Sequence, residues 1–191
     1  MMLRLKQALS ERTPRRLTGT TRIPSAVLIP IYEKEGEFYL ILTQRTEKVS
    51  THKGQISFPG GARDQGDKSL ADTALRECAE EVGLACDAVE VLGQLDDCPT
   101  FVSNYVITPF VGLVPYPYEF KRSEMETQEI IEAPISALLD QNCRSSGTEI
   151  VDGAPITAYF FNYQGKVIWG ATARILNQFL HIWQSAANNA G

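Results

Sequence analysis

Three carboxylates crowd one short segment: Glu77, Glu80 and Glu81, at i, i+3 and i+4. On an α-helix these offsets make neighbours with Cβ atoms about 5–6 Å apart, and each like-charged pair costs an isolated helix a few tenths of a kcal/mol. Such a grouping asks for a compensating cation. Arg76 offsets part of the charge, standing four residues before Glu80 and on the far side from Glu81. Oxygen donors without histidine or thiolate suit a hard divalent ion, Mg2+ or Mn2+, better than zinc or copper. The plainer role is a solvated face, since glutamate is a good helix former. What favours the ion is the loop upstream, residues 54–66 (GQISFPGGARDQG), whose Phe58-Pro59-Gly60-Gly61 turn can bring backbone carbonyls and N–H groups to the same point.

The elements that must position these groups follow from periodicity. Residues 68–82 are predicted to form the acid-bearing helix, with Asp67 as N-cap and Gly83 as its C-terminal stop. Its other face, Ala71, Ala74, Leu75, Cys78 and Val82, is an apolar stripe for packing on a sheet. Residues 25–32 and 37–43 are rich in β-branched and aromatic side chains and should pair as strands around a turn at 33–36. Residues 89–95 and 105–113 read as further strands, and 129–131 as a short one. A helix should open at Pro134 and run to 139, and 156–163 with 166–169 should form a second hairpin around Gln164-Gly165. Apolar residues at 171, 175, 176, 179, 180 and 183 mark an amphipathic helix over 171–184. Residues 115–122 and 143–147 read as loops. The alternation points to an α/β layered sandwich with a mixed sheet.

Gly61 followed by Arg76-Glu77-Cys78-Ala79-Glu80-Glu81-Val82-Gly83-Leu84 resembles the signature of the Nudix hydrolases: a glycine, a spacer, then Arg-Glu-hydrophobe-x-Glu-Glu-x-Gly-hydrophobe. The general pattern carries a glutamate in a spacer one residue shorter; Asp67 is the acid available here. The longer spacer, with Leu42-Thr43-x-Arg45-Thr46 and Gly54-x-x-x-Phe58-Pro59-Gly60-Gly61, is similar to the branch that acts on coenzyme A, which has an arginine where this chain has Ser50. Residues 93–97, 108–112 and 126–134 and Trp169-Gly170-x-Thr172-Ala173 also resemble that branch, so the likeness covers most of residues 24–181.

The resemblance implies a Nudix-type α/β/α sandwich around a mixed sheet and Mg2+- or Mn2+-dependent hydrolysis of a nucleoside diphosphate linked to another moiety. It implies Glu77 and Glu81 as the main metal ligands, Glu80 sharing the cluster and the Gly61 carbonyl completing it. Arg76 would orient the glutamates through a salt bridge. The proton acceptor is left among Glu80, Glu81 and Glu126, the last resembling a later glutamate that some Nudix enzymes bring over the site; a surface charge is its plainer role. The reaction expected is cleavage of coenzyme A or an acyl derivative into 3′,5′-ADP and (acyl-)phosphopantetheine. The alternative substrate is ADP-ribose or another nucleoside diphosphate sugar. A non-catalytic Nudix-fold binding or regulatory module is a third reading, disfavoured because a binder has no need of three mutually repelling carboxylates.

Around the loop, Arg45 and Arg63 can hold phosphates bidentately, with Lys53 as a point charge. Phe58 is either a base-stacking platform or a core residue. His52 reads as a loop residue and His181 as packed or solvated, while Asp96 and Asp97 close a strand and cap a turn.

The 191 residues amount to roughly one domain of about 150 residues with short extensions. Residues 1–23 are read as an N-terminal extension whose Leu3, Leu5 and Leu9 mark a docking helix, and 24–187 as the hydrolase domain. Hydrophobic residues at 43% and charged residues at 21% exclude a disordered, collagenous or coiled-coil chain. A net charge of −5 argues against nucleic acid as a partner, so a phosphorylated small molecule needs a local device such as a metal ion. Cysteines 78, 86, 98 and 143 make no CxxC pair and read as reduced, cytosolic residues rather than a zinc site. The N-terminus lacks the apolar run of a signal peptide, and the most apolar stretches, 26–32 and 105–118, are short and broken by prolines. The expectation is a cytoplasmic protein with no membrane span; a homodimer is left open.

Overall fold

The computed structural model describes residues 1–47, 53–151 and 153–188. Strands β1 (Ile23–Lys34) and β2 (Glu37–Arg45) form the expected hairpin, closed by Glu35 and Gly36 at φ 54° and 81°. Two positive φ values in succession match the right-handed twist of the flanking strands. Strands β3 (Ile56–Ser57) and β4 (Gly60–Ala62) follow, then helix α1 (Leu70–Val82), β5 (Glu90–Gln94), β6 (Cys98–Pro99), β7 (Tyr105–Leu113) and β8 (Thr127–Pro134). The central sheet runs β3-β2-β1-β7-β5, with β4 paired to β1, β6 to β7 and β8 to β2. Among the described residues only β1 and β7 lie parallel; the other pairings are antiparallel, so the sheet is mixed.

Period-two alternation assigns the two faces of this sheet. Ala26, Leu28, Tyr32 and Ile41 turn one way and pack with Ala74, Cys78 and Val82 of α1. Ile29, Ile31, Leu40 and Leu42 turn the other way into a larger core, built with α2 (Ile135–Leu139) and α3 (Gly170–Asn188), which supplies Leu176, Phe179, Leu180 and Trp183. A second sheet of β9 (Arg144–Val151), β10 (Ala154–Tyr163) and β11 (Lys166–Ile168), in the order β11-β10-β9, lies beside it and lends Phe161 and Ile168 to the same core. Helices on both faces of a mixed sheet make the α/β architecture expected from the sequence.

An N-terminal helix, αN (Met2–Glu11), joins the larger core through Leu5 and Leu9, while Leu3 stays 85% exposed. Gly93 makes room for it, because a Cβ there would stand 2.8 Å from the Cβ of Leu9. Asp96 and Asp97 do not cap their own turn. They hold the arm that follows αN: Arg12 pairs with Asp96 at 2.7 Å, Arg16 pairs with Asp97 at 3.0 Å, and the N–H groups of Arg15 and Leu17 donate to the same two carboxylates. Residues 144–151, partly expected as loop, form β9. Its residues are mostly polar and nearly all exposed on both faces, so only its pairing with β10 reveals it. The four cysteines are free. Among the described residues no helix is long and apolar enough to cross a membrane.

Candidate active site

Helix α1 begins two residues later than the sequence suggests, and the difference reassigns an acid. Ser69 is the N-cap: its Oγ accepts from the Asp72 N–H at 3.2 Å and donates to the Asp72 carboxylate at 2.8 Å, a reciprocal pair that fixes the first turn. Asp67 is thereby free to face inward. Its carboxylate accepts from Arg76 Nε at 3.0 Å and Nη2 at 3.1 Å, and from the Thr73 hydroxyl at 2.8 Å. Arg76 holds this carboxyl well below the usual range. The guanidinium reaches on through Nη1 to Glu77 at 2.8 Å and Glu80 at 3.2 Å, and donates from Nη2 to the Ala62 carbonyl at 3.2 Å. Arg76 therefore ties the spacer, strand β4 and the acidic face together. The far end of α1 stops as expected at Gly83, at φ 69° with its N–H on the Ala79 carbonyl.

Packing grades the three glutamates, which looked equivalent in sequence. Side-chain exposure is 57% for Glu80, 16% for Glu77 and 3% for Glu81, so Glu80 sits at the solvent edge and Glu81 in the interior. Glu77 lies directly over Gly61: a Cβ built there would meet its carboxyl atoms at 2.4–2.5 Å. The glycine next to it has a different duty. A Cβ on Gly60 would strike the Ala26 carbonyl oxygen at 2.3 Å and Val27 Cα at 2.6 Å, both backbone atoms of the paired strand β1. Gly60→Ala is accordingly expected to cost about 2–3 kcal/mol, read in a thermal melt as a Tm lower by roughly 5–10 °C.

Glu81 is gripped from two elements. Strand β2 brings Thr43 and Arg45, two residues apart, to its carboxylate: Thr43 Oγ1 donates to Oε2 at 3.2 Å, and Arg45 Nη1 is 3.5 Å from Oε1. The backbone carbonyl of Glu81 accepts from the Ser123 N–H at 2.9 Å and the Thr127 hydroxyl at 3.1 Å, while Lys121 N–H reaches the Val82 carbonyl at 2.9 Å. These bonds stitch the segment before β8 to the end of α1 and carry exposed Glu126 to within electrostatic reach of Glu77 and Glu81. Burial raises the Glu81 carboxyl from its ordinary 4.5 to about 7; Arg45 and Thr43 oppose the rise, and Glu77 and Glu126 add to it. Burial also raises Glu77 against the pull of Arg76.

The remaining residues expected at the site divide. Arg45 is 24% exposed and its Nε is buried without a hydrogen-bond partner among the described residues, an orphan donor beside the acids. Lys53 is exposed at the end of the loop. Arg63 spends its Nη2 on the carbonyls of Asp67 and Lys68, at 3.1 and 3.3 Å, and so braces the spacer. Phe58 is no stacking platform: it is 2% exposed in the larger core, because a Phe preceding the Pro-Gly-Gly turn alternates inward as β3 ends. Ser50 and His52 lie outside the described residues, and His181 is exposed on α3. Two partnerships escaped the sequence, Thr43 with Glu81 and Asp67 with Arg76. The only sequence signal for either was the motif that contains Thr43 and the acid found in the spacer.

Among the described residues no three acids, histidines or cysteines already stand together as a cage for an ion. Glu77 is drawn to Arg76, and Glu81 to Arg45 and Thr43. The donor chemistry nonetheless fits a hard divalent cation. Buried Glu81 and half-buried Glu77 resist ionisation where they lie, and Arg76 and Arg45 between them face four acids, Asp67, Glu77, Glu80 and Glu81. A cation would supply the missing positive charge through oxygen ligands alone.

Comparison with known proteins places the chain among relatives. The NUDIX domain model matches residues 22–137. The chain is 39% identical over 165 residues to an uncharacterized Nudix hydrolase NudL of Photorhabdus laumondii subsp. laumondii, covering 86% of this chain and 87% of that protein. The NudL of Yersinia enterocolitica is 40% identical over 158 residues, covering 81% and 78%. Among solved structures, a MutT/nudix family protein from Enterococcus faecalis superposes with a TM-score of 0.57 at 14% identity over 94% of this chain and 68% of that one. The NUDIX domain of Shewanella oneidensis NrtR, solved with ADP ribose, gives 0.51 at 18% identity over 70% and 84%. At such identities the two structures establish a common fold.

Proposed function

The chain belongs to the Nudix hydrolase family and is a pyrophosphate hydrolase, and from that premise we propose that it cleaves coenzyme A or an acyl derivative, yielding 3′,5′-ADP and (acyl-)phosphopantetheine. The observation that carries the reading is Arg45. Fixed beside Glu81 and 24% exposed, it keeps a buried Nε without a partner among the described residues and offers the charge of its guanidinium to an anionic oxygen next to the acids. Two of the stretches that resemble the coenzyme A branch lead to this point: Thr43 and Arg45 from β2 flank Glu81, and Gly61 from β4 lies under Glu77.

A pyrophosphate resists hydrolysis because its oxygens repel an incoming nucleophile. Bound Mg2+ or Mn2+ would neutralise that charge and lower the pKa of a coordinated water. Glu77 and Glu81 would hold the ion, with Glu80 sharing it from the solvent side and the Gly61 carbonyl as a further oxygen. Arg76 would keep Glu77 and Glu80 oriented, as it does through its 2.8 and 3.2 Å bonds. Arg45 would bind a phosphate oxygen, with Lys53 adding charge at the loop. The proton of the attacking water would pass to Glu80, Glu81 or Glu126, all on segments that converge here. We place the enzyme in the cytoplasm, where coenzyme A is available.

Mass spectrometry of products from a panel of coenzyme A, acetyl-coenzyme A, ADP-ribose and nucleoside diphosphate sugars, with Mg2+, with Mn2+ and with chelator, tests the proposal. The expected result is 3′,5′-ADP and phosphopantetheine from coenzyme A, only with an ion present. AMP and a sugar phosphate as the dominant products would move the assignment to nucleoside diphosphate sugars.

A further inference from the structure

A hydroxyl buried in a strand needs an explanation that a methyl group does not. Thr43 is 1% exposed in β2, a place where valine would pack as well. Its oxygen lies 3.2 Å from Glu81 Oε2, 3.4 Å from the Ser57 carbonyl and 3.5 Å from Ser57 Oγ. A hydroxyl has one proton to give. The shortest contact and the only charged acceptor is the carboxylate, so the proton goes to Glu81, and Ser57 can donate to Thr43 in turn. The opposite carboxylate oxygen has Arg45 at 3.5 Å, an ion pair rather than a well-formed hydrogen bond. Without Thr43, the Glu81 carboxylate would lose this hydrogen bond and keep the longer Arg45 contact.

We propose that Thr43 is a positioning residue: its hydroxyl, donated from β2 across to α1, sets the plane of the Glu81 carboxylate in which that side chain presents an oxygen to a divalent cation. The inference rests on the reading of Glu81 as a cation ligand and adds the group that orients it. Outer partners of this kind typically hold a ligand to about 10–100-fold in metal affinity.

The test is Mn2+ affinity, measured by electron paramagnetic resonance of free Mn2+ on chelator-treated protein without substrate, for wild type, Thr43→Val, Thr43→Ser and Glu81→Gln, with Tm alongside. Thr43→Val should raise the Mn2+ Kd about tenfold, and Thr43→Ser should recover it to within about threefold because the donor is kept. Should Thr43→Val fail to fold, Thr43→Ala takes its place: Ala and Ser both lack the methyl group, and only Ser keeps the hydroxyl. Wild-type Kd in Thr43→Val, or equal weakening in the serine and hydroxyl-free variants, overturns the positioning role while a loss of binding in Glu81→Gln leaves the site intact. Wild-type Mn2+ binding in Glu81→Gln removes the cation site itself, and this inference with it.

Discussion

Glu81→Gln should lower kcat by about 10³-fold or more while the chain folds, and in the absence of metal it should melt higher than wild type at pH 8. The substitution keeps the shape and leaves Thr43 an amide oxygen to donate to, but removes the charge on which the proposed cation binding would depend. The stability effect has a definite sign. In the folded protein burial holds this carboxyl at about 7, above its ordinary 4.5, so the neutral form is the one that folding favours. The contribution is fully present below pH 4.5 and is lost as pH rises through about 7. At about 1.4 kcal/mol per pH unit the loss is at most about 3 kcal/mol, and the paired arginine makes it smaller. Thermal unfolding in chelator at pH 5.5 and pH 8 should show the gap between variant and wild type opening with pH and closing when Mg2+ is added. Turnover at the wild-type rate would remove Glu81 from the machinery, and an unfolded variant would make its role structural.

Gly61→Ala should separate activity from stability more sharply still. The added Cβ would sit 2.4–2.5 Å from the carboxyl atoms of Glu77, and these are the free end of a flexible side chain. The backbone of β4 can stay paired with β1 while Glu77 swings away, so the stability cost should stay below about 1 kcal/mol. For catalysis the same swing is serious, because a ligand displaced by even about 1 Å can cost roughly 10²-fold. We therefore expect kcat/KM to fall at least about 10²-fold with Tm nearly unchanged, the reverse of Gly60→Ala, whose clash is with backbone. Unchanged kcat/KM in Gly61→Ala would mean that the position of Glu77 does not matter to the reaction.

Much of the site was legible because it is local. Glu77, Glu80 and Glu81 share a helical face through spacing alone, and Gly83 ends that helix because a left-handed residue is needed there. The β1–β2 hairpin and the terminal helix α3 were likewise readable from period and turn chemistry, although boundaries moved: the acid-bearing helix starts at Leu70, since the reciprocal Ser69–Asp72 pair outcompetes Asp67 for the first turn. Strand β9 was not legible, because Ser145, Ser146 and Gly147 carry no alternation when neither face is buried.

The amino-acid sequence by itself determined which acids share a helix, that oxygen donors of this kind suit a hard cation, that a Pro-Gly-Gly turn lies just upstream of them, and the family to which the chain belongs. Tertiary structure decided the roles. It buried Glu81 and left Glu80 in solvent, turned Asp67 onto Arg76, sent Phe58 into the core, and brought Thr43 and Arg45 from a strand some forty residues earlier. The reason is physical. Helical spacing fixes neighbours within a turn, whereas burial, hydrogen-bond partnership and pKa depend on which distant strand packs against that turn, and a linear chain carries that information only in sums of many weak contacts.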